Sequence, residues 1–263
     1  MRPICSPERR CVRVELDGEA RWGVITGDEI VLSDNVRVRE SDAVYLAPAA
    51  PSKILAVHLT YGSRVREYEA RTPPEPSYFM KPPTTLNGHR RPVLMAKGSQ
   101  FLNYEGELAV VIGRAGRHIP AVDALAHVAG YSCFNDGSVR DWQRHTSQFT
   151  PGKNFDRTGS FGPWIVTRDE IPDPRALTLT TRLQGEVMQQ ASVDLLIFDI
   201  PTLLAYLSTF TELQPGDVIA TGTPGGVGMA RDPQRFMQPG ELVEIDIAEI
   251  GVLRNTICAE GDT

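Results

Sequence analysis

Hydrophobic and polar positions alternate cleanly between residues 11 and 32. Val12, Val14 and Leu16 fall on one face and Arg13, Glu15 and Asp17 on the other, the period of two that marks a half-buried strand. Asp17-Gly18 predicts a hairpin turn, Trp22, Val24 and Ile25 a second strand, and Gly27-Asp28 another turn. This β unit is expected to end near the Ala/Pro segment at 47–52. The expected division is a small N-terminal β domain, 1–52, and a larger domain, 53–263.

Beyond that boundary the apolar runs are of strand length. Lys53–Leu59 reads as a buried strand. A charged stretch, Ser63 to Arg71, has weak helical character, and the Pro-rich loop Thr72 to Pro76 follows it. A polar helix between loops is a candidate lid, and a solvated surface helix explains it too. Glu107 to Gly113, Tyr131 to Asn135, Val218 to Ala220 and Glu241 to Ile247 read as strands. Pro120 to Ala129 carries Pro at its start and Gly130 as its stop, a helix signature. The clearest helix is Pro201 to Leu213, with Leu203, Leu204, Leu207 and Phe210 on one face. The predicted fold is mainly β with short helices (α+β). Strands and helices do not alternate regularly, which disfavours a doubly wound parallel sheet.

The 263 residues carry a net charge of -6. That balance argues against nucleic acid, whose phosphates need a dense Lys/Arg surface, but leaves room for a small anion bound by a local basic cluster. No apolar run is long enough to span a bilayer. The start, MRPICSPERR, has no apolar signal core. Cys5, Cys11, Cys133 and Cys258 form no C-x-x-C pair and read as reduced thiols of a cytoplasmic protein.

Candidate chemistry centres on Asn103-Tyr104-Glu105-Gly106-Glu107-Leu108. In an extended chain Glu105 and Glu107 share a face. There they repel each other at the mouth of an apolar strand. A bound cation resolves both costs; a solvated strand end explains the spacing as well. The intervening glycine leaves room for a ligand or nearby backbone. Asp136 follows an apolar strand and opens a segment in which Asp136, Arg140 and Gln143 share one side if it turns helical. That set suits a metal beside a carboxylate-binding site, or a helix cap with a surface Arg. Three carboxylates without His or Cys favour Mg²⁺ or Mn²⁺ over zinc. The loop Thr221-Gly222-Thr223-Pro224-Gly225-Gly226-Val227-Gly228 is no Walker A. It is expected to turn backbone N–H groups and the Thr223 hydroxyl toward an anion, or to be a structural turn. Lys81 and Lys153 sit in Gly/Pro loops, where a lysine is ordinarily solvated.

Taken in series, Glu105-Gly106-Glu107-Leu108-Ala109-Val110-Val111-Ile112-Gly113, Asn135-Asp136-Gly137-Ser138-Val139-Arg140-Asp141-Trp142-Gln143, Gly152-Lys153-Asn154-Phe155-Asp156, Gly162-Pro163-Trp164 and the Gly-rich loop resemble the fumarylacetoacetate hydrolase superfamily, over about residues 53–257. Ser77-Tyr78-Phe79-Met80-Lys81-Pro82-Pro83 looks most like its 5-oxopent-3-ene-1,2,5-tricarboxylate decarboxylase and 2-hydroxyhepta-2,4-diene-1,7-dioate isomerase branch, which serves aromatic catabolism. The resemblance implies a mixed β-sandwich roll, a catalytic domain at 53–263, a homodimer, and Mg²⁺ or Mn²⁺ on Glu105, Glu107 and Asp136. It also implies substrate contacts from Arg140, Gln143, Lys153, Thr223 and Tyr78, with Lys81 near the metal.

One departure bears on the reaction. Hydrolytic members carry a His-Glu dyad at the lid. Here Arg64 falls at the His position and Glu67 near the Glu position, and an Arg cannot act as a base near neutral pH. His58 is the nearby substitute, or a packing histidine. The expectation is therefore a metal-dependent decarboxylase or keto–enol isomerase of a small 2-oxo acid, with Lys81 or Lys153 moving the proton and Arg140 or Arg64 holding a remote carboxylate. The rival enzyme is a C–C hydrolase of acylpyruvates using Glu67 and His58. A non-catalytic binding or scaffold protein that keeps the fold is the alternative of another class.

Overall fold

The computed structural model describes residues 10–262. Cys5, part of the thiol reading, lies outside them. Two sheets carry the fold. The larger has twelve strands. Its path runs Arg37–Arg39, Glu29–Leu32, Glu19–Thr26, Cys11–Leu16, Gly159–Thr167, Val128–Asn135, Gly106–Ile112, Val218–Ala220, Ile54–His58 and Ser77–Lys81, with Val44–Tyr45 and Leu86–Asn87 pairing off that path. The smaller runs Glu186–Ser192, Thr178–Leu183, Leu242–Ile247, Gly251–Ala259, Val93–Met95. Pairing is antiparallel except at Val218–Ala220 with Ile54–His58, Leu86–Asn87 with Gly159–Thr167, and Val93–Met95 with Gly251–Ala259. The molecule is thus mostly β, with mixed sheets and a few short helices, as its patterning indicates.

The N-terminal alternation becomes a meander. Val12 and Val14 pack with Ile30, Leu32 and Tyr45 in a satellite core. Asp17 and Gly18 both adopt positive φ, 54° and 76°, the geometry a two-residue hairpin turn needs. This meander joins the large sheet where Cys11 pairs with Ile165.

Gly106–Ile112 is buried along its whole length. Leu108, Val110 and Ile112 face the second sheet, meeting Leu179, Val243 and Ile245, while Ala109 and Val111 pack behind with Ile54, Phe134 and Val218. A strand covered on both faces reads as a continuous apolar run, and its end is where buried carboxylates are held most rigidly.

Three expectations change. The helix predicted at Pro201–Leu213 is Ile200–Leu207; the chain turns at Ser208, whose carbonyl and Oγ accept from the His118 and Ile119 amides. The helical signature at Pro120–Ala129 forms a 3-10 helix, Ala121–His127. The four thiols are not all free: Cys133 and Cys258 are, but Cys11 is disulfide-bonded. Among the described residues no helix is long and apolar enough to cross a membrane.

Candidate active site

Register brings the three acids together. Gly106 pairs with Asn135. The Asp136 amide donates to the Glu105 carbonyl at 2.8 Å, and Asn135 Oδ1 accepts from the Glu105 amide at 3.1 Å. Two adjacent strand ends are thereby locked side by side. Carboxylate oxygens of Glu105, Glu107 and Asp136 lie within 4.8 Å of one another, all buried. Glu105 and Glu107 point away from the second sheet. The glycine between them is needed for packing on the opposite side: a Cβ on Gly106 would stand 2.0 Å from Thr181 Oγ1 and 3.1 Å from Ile245 Cδ1. Of the expected neighbours of that glycine, a ligand or nearby chain, it is the protein's own second sheet that takes the space.

Basic side chains surround two of the acids. Lys153 Nζ donates to Glu105 and, at 2.5 Å, to Asp136 Oδ2. Arg140 donates to Glu105 and, at 2.6 Å, to Gln143 Oε1. Lys81 Nζ donates to the Lys153 carbonyl and stands 2.8 Å from Asp136 Oδ1, an ion pair by distance although too poorly aligned for a good hydrogen bond. Gly152 lets this happen, since any Cβ there would lie 2.5 Å from the Gln143 backbone. Burial would raise the Glu105 pKa, but Arg140 and Lys153 outweigh it and hold the carboxyl well below the usual range. Burial lowers the Lys81 pKa, with Asp136 partly opposing it.

Glu107 is the exception. It is 1 % exposed, and among the described residues its one hydrogen bond is from the Gly222 amide at 2.8 Å. Burial, followed by the charges of Asp136 and Glu105, pushes its pKa well above that of an ordinary carboxyl. Lys81, Lys153 and Arg140 pair directly with Glu105 and Asp136, whereas Glu107 has no direct ion pair among the described residues, and the charge of Lys153 and the Gly222 hydrogen bond oppose its shift only in part. An all-oxygen cluster whose third carboxyl has no ion-pair partner among the described residues, and resists ionising without one, fits a hard divalent cation.

The Gly-rich loop lies across this cluster, but its amides are directed inward. Gly222 N–H goes to Glu107 Oε2, Gly225 N–H to Ser63 Oγ (3.1 Å) and Gly226 N–H to Glu67 Oε1 (2.7 Å). These three amides do not await an anion, because the protein's own acceptors use them. The predicted lid is the short helix Gly62–Glu67, with Arg64 and Val65 buried, so it is no solvated surface helix. Arg64 donates to Glu67 Oε2 at 2.6 Å. Each Glu67 oxygen thus accepts one hydrogen bond from the protein. His58 lies between Phe149 (4.8 Å) and Tyr68 (6.1 Å). Burial, with Lys153 nearby, lowers its pKa to about 4. His58 makes no hydrogen bond to Glu67 among the described residues. A cleft of about 360 Å³ opens beside the lid, lined by Arg64, Glu67, Tyr68 and Arg144 among others.

Lys81, Lys153, Arg140, Gln143, Glu105, Glu107 and Asp136 thus come together, with Thr223, Glu67, Arg64 and His58 around them. Tyr78 does not join them. It alternates with Phe79 and Lys81 on its strand, is 38 % exposed, and stacks on Phe210 at 4.8 Å; Phe79 is the neighbour that faces Lys153. Two site residues went unread in the sequence. Asn135 sits inside a motif that could have flagged it, whereas Gln189, in a strand of the second sheet, has no local signature.

Comparison with known proteins agrees with this geometry. Residues 53–258 match the fumarylacetoacetate hydrolase C-terminal family. Oxaloacetate tautomerase FAHD2A, mitochondrial, of Bos taurus is 40 % identical over 82 % of this chain and 70 % of its own length. A fumarylacetoacetate hydrolase from Exiguobacterium antarcticum superposes with TM-score 0.86 at 34 % identity, covering 96 % of this chain and all of that one. A 2-hydroxyhepta-2,4-diene-1,7-dioate isomerase from Mycobacterium marinum does so with TM-score 0.84 at 31 % identity, covering 97 % of this chain and all of that one. Sheet order, buried acids and sequence match lead to one statement: the chain belongs to the fumarylacetoacetate hydrolase family of enzymes.

Proposed function

We propose that this enzyme is a keto–enol tautomerase of a small 2-oxo dicarboxylic acid of the oxaloacetate type, with residues 53–263 as the catalytic unit. Glu105, Glu107 and Asp136 would hold Mg²⁺ or Mn²⁺. Such a cation supplies Lewis-acid stabilisation for the charge that develops on the 2-oxo oxygen. The protein's own groups do the rest. Lys81, with its pKa lowered by burial, takes the proton from C3 as a neutral amine and returns it to the oxygen. Lys153 and Arg140 fix the Glu105 and Asp136 carboxylates. Arg64, on the wall of the lid cleft, binds the remote carboxylate.

The observation that carries this reading is the state of Glu67. Its oxygens accept from Gly226 and Arg64, and among the described residues no histidine completes a dyad with it to align a water. A hydrolase needs a base that holds water; a tautomerase does not. Decarboxylation would use the same enolate chemistry and is the second activity to assay.

The test is a pair of assays on the Mn²⁺-loaded protein. Ketonisation of enol-oxaloacetate, followed by its ultraviolet absorbance, is expected to accelerate and to fall at least a hundredfold in Lys81→Met, in line with the usual worth of an acid–base group. Acylpyruvate cleavage that is lost in Glu67→Gln, without any ketonisation activity, would replace this reading with C–C hydrolysis.

A further inference from the structure

Gln189 is 2 % exposed and belongs to the second sheet, on the face of the Gly106–Ile112 strand opposite the acids. Its Oε1 accepts from the Gly106 amide at 3.0 Å. Its Nε2 donates to Thr223 Oγ1 at 2.7 Å and to the Pro224 carbonyl at 2.9 Å. Thr223 Oγ1 in turn donates to the Gly106 carbonyl at 2.9 Å. The result is a closed ring running through Gly106, Gln189 and Thr223.

The partners fix the direction of every bond in the ring. The Gly106 amide can only donate and the Pro224 carbonyl can only accept, so the Gln189 amide has one allowed orientation. Its NH₂ therefore points at Thr223. The single Thr223 proton must then go to the Gly106 carbonyl, and Thr223 turns a lone pair, not a proton, toward any ligand. Both backbone polar groups of Gly106, the N–H of the peptide that joins it to Glu105 and the C=O of the peptide that joins it to Glu107, are held this way, one by Gln189 and one by Thr223. That residue separates Glu105 from Glu107. The same ring also anchors the Gly-rich loop, whose Gly222 amide holds Glu107 Oε2.

We infer that Gln189 is a positioning residue for the cation site: it locks the backbone between Glu105 and Glu107 to the loop that orients Glu107. The inference rests on those acids being the cation ligands. Groups that orient ligands from the outer shell are typically worth about 10- to 100-fold in metal affinity.

The test measures Mn²⁺ binding to the chelator-treated full chain by the electron paramagnetic resonance signal of free Mn²⁺. Gln189→Met and Thr223→Val are each expected to weaken the Mn²⁺ Kd about tenfold or more. Thr223→Ser, which keeps the hydroxyl, is expected to bind like wild type. The double variant Gln189→Met/Thr223→Val should be little weaker than the worse single one, because either change opens the same ring. A residue that served only to stabilise the fold would lower the melting temperature of the metal-free protein and leave the Kd unchanged. Wild-type affinity in both single variants overturns the inference. If Gln189→Met does not fold, Thr223→Val and Thr223→Ser decide it alone. Failure of the wild-type chain to bind Mn²⁺ is a separate result, which removes the cation reading itself.

Discussion

Glu107 is a buried carboxyl whose ionised form is penalised by burial and by Asp136 and Glu105, and replacing it with a permanently neutral amide separates stability from function. Take Glu107→Gln. The amide oxygen can still accept from Gly222, so the loop contact survives. The two repulsions, from Glu105 and Asp136, disappear. For the ionised carboxylate, with the acid oxygens within 4.8 Å of one another and an effective dielectric near 20, each is about 3.5 kcal/mol at that outer distance before opposing terms. Lys153 attracts Glu107 and offsets part of that. The new NH₂ also needs a partner, at a cost of about 1–3 kcal/mol if it finds none; the carboxylates beside it offer one. A net gain of about 1–3 kcal/mol remains, or several degrees in Tm for a chain of this length.

The assay is thermal unfolding in EDTA and again with saturating Mn²⁺. Wild-type protein should melt low in EDTA and gain about 2.7 kcal/mol at a Mn²⁺ concentration 100-fold above Kd. Glu107→Gln should melt higher in EDTA and gain little from Mn²⁺. The pH dependence supplies a sign check. A carboxyl whose folded pKa is raised costs stability only above its unfolded value, so the advantage of the variant should grow as pH rises above 4.5 and vanish below it. Should Glu107→Gln melt at or below wild type in EDTA and still be stabilised by Mn²⁺, the penalty on the buried carboxylate, and the cation site built on it, are wrong.

Asp217 accepts from Ser52 Oγ, Lys53 Nζ and the Gln214 amide, joining the parallel strands that carry His58 and the Gly-rich loop; Asp217→Ala is expected to cost about 3–5 kcal/mol in urea unfolding, and a loss under 1 kcal/mol would refute that role. Gly106→Ala forces a Cβ against Thr181 Oγ1 and should cost about 1–3 kcal/mol, in part recovered in the Gly106→Ala/Thr181→Ala double variant, with Tm as the readout. His58 and His89 both have pKa values lowered to about 4, chiefly by burial. A depressed histidine leaves the native state fully stable above the unfolded value of 6.5 and weakens it as pH falls toward 4, by up to roughly 3 kcal/mol each. Measured in the Glu107→Gln background, where the opposing titration is absent, Tm should fall over that window; a flat profile would show that neither ring is held neutral.

What the chain discloses in one dimension and what it conceals divide along a physical line. The acids at 105 and 107 were legible because strand geometry puts alternate residues on one face, and Asp136 because its motif resembles the family's. The N-terminal hairpins were legible because Asp17-Gly18 can adopt the turn. The end of the helix at Leu207 was not, since it is set by amides of His118 and Ile119 some ninety positions away. Nor was the fate of the Gly-rich loop: its amides look free in sequence and are consumed by Glu107, Ser63 and Glu67 in space. The same accounting bears on the reaction. Residue identity alone left Glu67 available as a base, with His58 to assist. Tertiary structure gives each Glu67 oxygen a donor and leaves His58 apart from it among aromatic rings. Each oxygen keeps a second lone pair, so Glu67 can still accept from water; what it lacks among the described residues is a histidine to align that water. Lys81 is likewise engaged, by the Lys153 carbonyl and Asp136, and burial lowers its pKa, the direction a proton-transferring amine needs. Between water activation and proton transfer, it is the absence of a His–Glu dyad among the described residues that supports the proposed proton transfer.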